Sequence, residues 1–232
     1  MIDNEFYMTM RPQRIQATLV RKTFLTPTVM LVRLGLAAAK LDFRPGQYVV
    51  LHLPVGSEIV ERLFSIASPP ADRQTPLELL VRLVAGGVAS HFFTTAKIGS
   101  PVTLSGPKGR FTLPRIKKPI RMIASGTGIA PFRSMLLDLL AIKKATTPIH
   151  LTFIVPTEEE IFMRGELERL AETHENFSYQ IVLDLARYLE ELAVAPREEV
   201  YICGGINFVT DITKVLRAQG VGSPRVHSEK FV

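Results

Sequence analysis

Cysteine is almost missing from this chain: Cys203 is the single one among 232 residues. That excludes an intrachain disulfide and an iron–sulfur cluster held by the chain's own thiolates. Long apolar runs are missing too. "LELLVRLVAGGVA" is cut by Arg82 and "VMLVRLGLAAA" by Arg33, well short of the roughly 18 residues of a spanning helix, so no membrane insertion is expected. The opening stretch "MIDNEFYMTMRPQR" lacks an apolar core, which predicts no secretory signal and a cytoplasmic location. There is no run of five or six like charges, no aromatic–basic ribonucleoprotein signature and no zinc-finger spacing, so nucleic acid is not an expected partner. G-x-S-x-G and Walker A patterns are absent. The histidines at 52, 91, 150, 174 and 227 form no ligand cluster, and no metal site is predicted.

What is present is an ordinary globular composition, 47% apolar and 22% charged. The net charge of +6, from 28 basic and 22 acidic residues, is scattered, with its densest cluster at "RIKKP", Arg115 to Pro119. Such a modest basic bias describes a solvated surface and suits an acidic partner.

Two halves differ in rhythm. Up to residue 114, short β-branched runs ("RIQATLVRKTF", "VMLVRL", "QYVVLHL", "RLFSIA", "LELLVRLV", "PVTLSG") alternate with the turn signals "LTPT", "FRPG", "SPPADRQTP" and "GPKG". Six such strands predict an antiparallel β-barrel or sandwich, with a short helix at "VASHFFTTA". From residue 115 the period changes. "IRMIAS", "IHLTFIV", "SYQIVLD", "EVYICGG" and "RVHSEKF" alternate with helical stretches such as "GIAPFRSMLLDLLAIKK" and "MRGELERLAETH". That alternation predicts an α/β doubly wound parallel sheet. Pro114 and Pro119 bracket the linker, giving domains at 1–114 and 115–232.

The turn "IASGTGIAPF" ends a strand and opens a helix. Gly126 and Gly128 allow close backbone approach, the helix start offers free amides to an anion, and Pro131 fits the first helical turn. The pattern departs from G-x-G-x-x-G, because position 131 is proline. Cys203 lies at the carboxyl end of its strand, where open α/β sheets bind ligands.

Six motifs in one order, "RLFSIAS", "GGVAS", "GPKGRF", "SGTGIAPF", "YICGG" and "SEKF", make the chain resemble the ferredoxin–NADP reductase superfamily from about Gln13 onward. The resemblance implies an FAD-binding barrel followed by an NAD(P)-binding domain. It implies that Arg62 pairs with a flavin phosphate, for which an always-charged fork of donors is suited. Leu63 and Phe64 would line the flavin, and Ser65 would approach N5 of its ring. Phe64 stands where the family usually has tyrosine, which costs a hydrogen bond. Gly87, Val88, Ala89 and Ser90 would take the flavin pyrophosphate. Gly126, Thr127 and Gly128 would hold that of the nicotinamide dinucleotide, with Gly204 giving room. Ser65, Cys203 and Glu229 would form the hydride-transfer centre, and Phe231 would shield the flavin.

After the second strand of the latter half come Val155, Pro156 and Thr157, then three glutamates. Acidic residues there repel a 2′-phosphate, and Arg164 is expected to pair with Glu168 on a helix face, so NADH is favoured over NADPH. The electrons would leave to a separate acceptor, such as a small acidic ferredoxin. The alternatives are an NAD(P)H:flavin reductase, with free flavin as the acceptor, and a flavin-bearing subunit of a larger redox complex.

Overall fold

The computed structural model describes residues 13–36, 41–70, 75–113 and 117–231. The opening stretch, residues 71–74 of the "SPPADRQTP" turn and the first part of the proline-bracketed linker, Pro114–Ile116, lie outside the described residues. Eleven strands and five α-helices follow one another within the described residues. The first half holds β1 (Gln13–Thr26), β2 (Val29–Gly35), β3 (Tyr48–Val55), β4 (Glu58–Ser65), β5 (Leu77–Arg82), α1 (Val88–Thr95) and β6 (Pro101–Lys108). The second holds β7 (Ile120–Ser125), α2 (Ile129–Leu136), β8 (Ile149–Ile154), α3 (Arg164–Thr173), β9 (Phe177–Val182), α4 (Leu185–Glu191), β10 (Glu199–Gly205), α5 (Ile206–Ala218) and β11 (Val226–Phe231).

The first sheet is antiparallel, in the order β4-β3-β6-β1-β2-β5. An antiparallel bridge between Ile66 and Leu79 joins its two outer strands and closes the barrel. The chemistry of β1 shows why it belongs there. Ile15, Ala17 and Leu19 are buried while Arg14, Gln16 and Thr18 are exposed, the period of two that puts one face inward. Leu19, Leu51, Leu53, Leu79 and Leu104 fill the interior with Phe93 of α1.

The second sheet is parallel, in the order β11-β10-β7-β8-β9. Its central strand β7 is apolar on both sides. Met122 and Ala124 pack with α2 and α3, whereas Ile123 packs with Tyr188 of α4 and with Val209 and Ile212 of α5. Helices on both faces are the reason the strand reads as a continuous apolar run. The helix after β7 is not one regular element. It is α-helical to Leu136 and a π-helix from Leu137 to Ile142. There the Lys143 amide bonds to the carbonyl of Asp138, whose buried carboxylate also takes the Lys143 ammonium at 2.6 Å.

The two halves share apolar packing. Val29, Leu31, Ala67, Leu80 and Phe111 from the first half bury against Phe132, Met135 and Tyr201 from the second. Each valine, leucine, phenylalanine or methionine among them contributes about 1.5–3 kcal/mol when fully withdrawn from water. A partly buried charge network crosses the same seam. Arg133 of α2 donates to the Ala67 carbonyl at 2.8 Å, to Glu78 of β5 at 2.6 Å and to Glu166 of α3 at 3.1 Å. Burial alone would raise the Glu78 carboxyl, but Arg133 and Arg33 hold it below its ordinary range. Removing Arg133 would leave Glu78 with Arg33 alone and Glu166 without this cation, at a partly buried seam.

Candidate functional site

The site is built from the carboxyl end of β4. Along "RLFS", Arg62 and Leu63 are exposed, Leu63 at 61%, and Ser65 is buried. The Arg62 guanidinium donates to the carbonyl of its neighbour Glu61 at 2.8 Å. Beneath it, His52 bridges Ser105 at 3.0 Å and Glu61 at 3.2 Å across three strands. Phe64 meets Phe93 edge-on at 6.4 Å, so the strand stands beside α1.

The start of α1 is loosely furnished. Gly86 has φ of +70°, and Gly87 caps the helix in an extended conformation without a side-chain hydrogen bond. Of the four residues expected there, Gly87, Val88 and Ala89 present the helix start. Ser90 turns its hydroxyl back, accepting from the Val84 amide at 2.7 Å. That leaves its proton for another acceptor.

The matching turn in the second half is tight. Gly126–Gly128 form a 3₁₀ turn leading into α2. Gly126 is buried with φ of +53°. A Cβ on Gly128 would fall 2.7 Å from the Cys203 carbonyl carbon and 2.9 Å from Gly204 Cα. A Cβ on Gly204 would meet the Phe208 ring at 2.8 Å. These glycines are demanded by strand–helix packing as much as by any ligand.

Ser65, Cys203 and Glu229 come together in space, although 164 residues separate the first from the last. The Ser65 hydroxyl donates to Glu229 Oε2 at 3.1 Å. Cys203 stands opposite Glu229 in the β10–β11 register, and Gly205 opposite Phe231. Burial pushes the Glu229 carboxyl up to about 7, the Ser65 hydrogen bond opposing only in part. Burial, then the nearby Glu229 carboxylate, pushes the Cys203 thiol well up, so Cys203 is a neutral thiol and no activated nucleophile. The cluster can therefore hold or release one proton near neutral pH, at a carboxyl hydrogen-bonded to a serine.

The three glutamates after β8 behave differently from their expected role. Arg164 pairs with Glu158 at 3.1 Å, not with Glu168, because the loop folds back over the first turn of α3. Glu160 takes both guanidinium nitrogens of Arg82, at 2.9 and 3.1 Å, and the Thr28 hydroxyl at 3.3 Å. Two of the three charges are thus neutralised by arginines. A hydrogen bond from Thr157 lowers the carboxyl of exposed Glu159. Arg82, the charge that interrupts an apolar strand, reaches this turn region: its Nη1 would lie 3.6 Å from a Cβ on Gly126. Among the described residues no group of three or more histidine, cysteine, aspartate or glutamate side chains could hold a metal ion. No helix among them is long and apolar enough to cross a membrane.

Two family models match. Residues 16–113 match an oxidoreductase FAD-binding domain, and residues 122–214 an oxidoreductase NAD-binding domain. The chain is 34% identical over 205 residues to the toluate 1,2-dioxygenase electron transfer component of Pseudomonas putida, covering 83% of this chain and 60% of that one. It is 32% identical over 210 residues to ferredoxin–NADP reductase B of Sorangium cellulosum, covering 82% of this chain and 85% of that one. It spans about 60% of the length of the dioxygenase components it matches. Among solved structures, a cytochrome P450 reductase from Amycolatopsis superposes with a TM-score of 0.85 at 29% identity, covering 96% of this chain and 71% of that one.

Proposed function

The chain belongs to the ferredoxin–NADP reductase superfamily, and from that premise we propose that it oxidises NAD(P)H through a bound FAD and passes the electrons to a separate acceptor. The flavin supplies the chemistry of taking a hydride and giving up electrons singly; the protein's part is to bind, orient and protonate. The observation that carries this reading is the Ser65–Glu229 hydrogen bond, 3.1 Å across the two halves, with Cys203 beside it.

The residues present fit an FAD. An exposed guanidinium at Arg62, an exposed apolar side chain at Leu63 and an uncapped helix start at Gly87 supply the cation, apolar surface and free amides a dinucleotide needs. In this reading Arg62, Leu63, Phe64, Ser65, Gly87, Val88, Ala89 and Ser90 bind FAD. Gly126, Thr127, Gly128 and Gly204 receive the nicotinamide dinucleotide, and Phe231 covers the ring face until it arrives. Ser65 and Glu229 would keep a proton beside the flavin ring, and Cys203 would stand on the nicotinamide side. The boundary at residues 114 and 115 divides the binding of the two dinucleotides.

NADH is the preferred donor. Of the two arginines on α3, Arg164 is held by Glu158, and the strand runs into Val155, Pro156 and Thr157, which offer no cation of their own for a 2′-phosphate. The acceptor is an acidic electron-transfer protein such as a ferredoxin, which suits the +6 net charge. A second reading, a flavin-bearing subunit of a larger redox complex, is favoured by the relatives that are electron transfer components of dioxygenases. An oxidoreductase drawing on the NAD(P)H pool fits a cytoplasmic location.

The visible spectrum of the purified protein tests the proposal. A flavin spectrum that bleaches on anaerobic addition of NADH, with FAD released on denaturation, is expected. A colourless protein that takes up no FAD overturns it. A kcat/KM far higher with NADPH than with NADH reverses the donor preference. Reduction of a ferredoxin in dilute solution favours the free enzyme over the complex subunit.

A further inference from the structure

Lys22 reaches from β1 to the far end of α1. Its ammonium donates to the carbonyls of Phe93 at 2.9 Å, Thr94 at 3.0 Å and Ala96 at 2.7 Å. The last carbonyls of a helix have no amide further along to satisfy them, and a cation there is favoured by the helix dipole. The helix carries no basic residue of its own in its last turn. The cation comes instead from a strand more than 70 residues earlier in the chain.

The two ends of α1 are therefore unlike. The carboxyl end is gripped by one side chain in three places, whereas the amino end has no side-chain cap and no acidic residue in its first turn. An eight-residue helix is too short to hold its own shape in water. Its position rests on Phe93 in the barrel core, with Val88, Ala89 and Phe92 packed against the same core, on the Ser90–Val84 contact near its start and on Lys22 at its end. Lys22 is the hold on the last turn, and the amides at the first turn lie less than 15 Å away at 1.5 Å per residue.

We propose that Lys22 is a positioning residue for the flavin pyrophosphate, acting through α1 to fix where the amides of Val88 and Ala89 stand. It rests on the FAD reading above and touches no part of the cofactor itself.

Binding of FAD and of riboflavin, which lacks the pyrophosphate, to flavin-stripped protein tests it, read by flavin fluorescence. Lys22→Met is expected to weaken FAD roughly tenfold and to leave riboflavin unchanged, with Lys22→Arg restoring most of the loss. Equal FAD affinity in Lys22→Met and the parent overturns the proposal. So does an equal loss for both flavins, which marks a general loosening of the barrel. If Lys22→Met does not fold, Lys22→Gln and Lys22→Arg give the same decision by the same comparison. A parent protein that binds neither flavin is a different failure, that of the FAD reading itself.

Discussion

The molecule opens a helix after a glycine-bearing turn in each half, and the two turns are made differently. At the start of α1, Gly86 is exposed with open space around it, and Gly87 is half-buried. At the start of α2, Gly126 and Gly128 are buried, as are Ile129, Ala130, Pro131 and Phe132 behind them. One turn keeps its amides in the open, held from behind by Lys22 and Phe93. The other is locked against the backbone of β10. The lesson is that glycine in a strand-to-helix turn answers two needs, approach of a ligand and approach of the chain to itself, and only the neighbours tell which dominates.

The comparison can be broken at four places. Gly128→Ala should have the largest effect, because the new methyl meets the backbone at Cys203 and Gly204, which cannot swing aside as a side chain can. A loss of about 3–4 kcal/mol or more in urea unfolding is expected; a loss under about 1 kcal/mol would mean that β10 yields and the lock is not real.

Arg62→Ala sharpens the other side. Its guanidinium is exposed and bonded only within its own strand region, so stability should change by no more than about 0.5 kcal/mol. FAD affinity should fall roughly 100-fold, as for a lost charge-assisted pair. Unchanged FAD affinity in an equilibrium titration removes Arg62 from the site.

Glu229 gives a pH signature. Its carboxyl is raised to about 7 in the fold, mainly by burial, so the native state keeps a proton that the unfolded chain releases at lower pH. Its favourable contribution is complete in acid and is lost as pH climbs from the ordinary carboxylate range through about 7. Glu229→Gln should flatten that decline, sparing on the order of 2 kcal/mol at pH 8. Parallel stability–pH curves for the two proteins would show that the carboxyl is not held in this way.

Gly86→Ala should be the mildest. The position has positive φ but nothing within 4 Å, so about 1 kcal/mol of backbone strain is the whole expected cost. A loss matching that of Gly128→Ala would erase the distinction between the two turns.

Much of the architecture was legible in the residues because its signals are local. Alternation along β1, the doubly apolar β7 and the glycine turns each depend on a few neighbours in the chain. The π-helical end of the helix after β7 was not legible, since Asp138 and Lys143 read as ordinary members of a helical pattern. The Arg82–Glu160 contact was hidden for another reason: a lone arginine in a strand and three glutamates in a loop show no sign of meeting. The pairing of Arg164 with Glu158 instead of Glu168 turned on how one loop folds back.

From the order of its residues alone, this protein was bound to have a β-rich half and an α/β half, a single thiol, and helix starts able to receive anions. Periodicity and glycine placement are properties of short segments, and short segments carry them without help. What only the folded chain decided is which distant groups meet. Ser65 meets Glu229, Lys22 grips α1, and Arg82 covers Glu160, because hydrogen bonds and burial act through distances in space and are blind to separation along the chain.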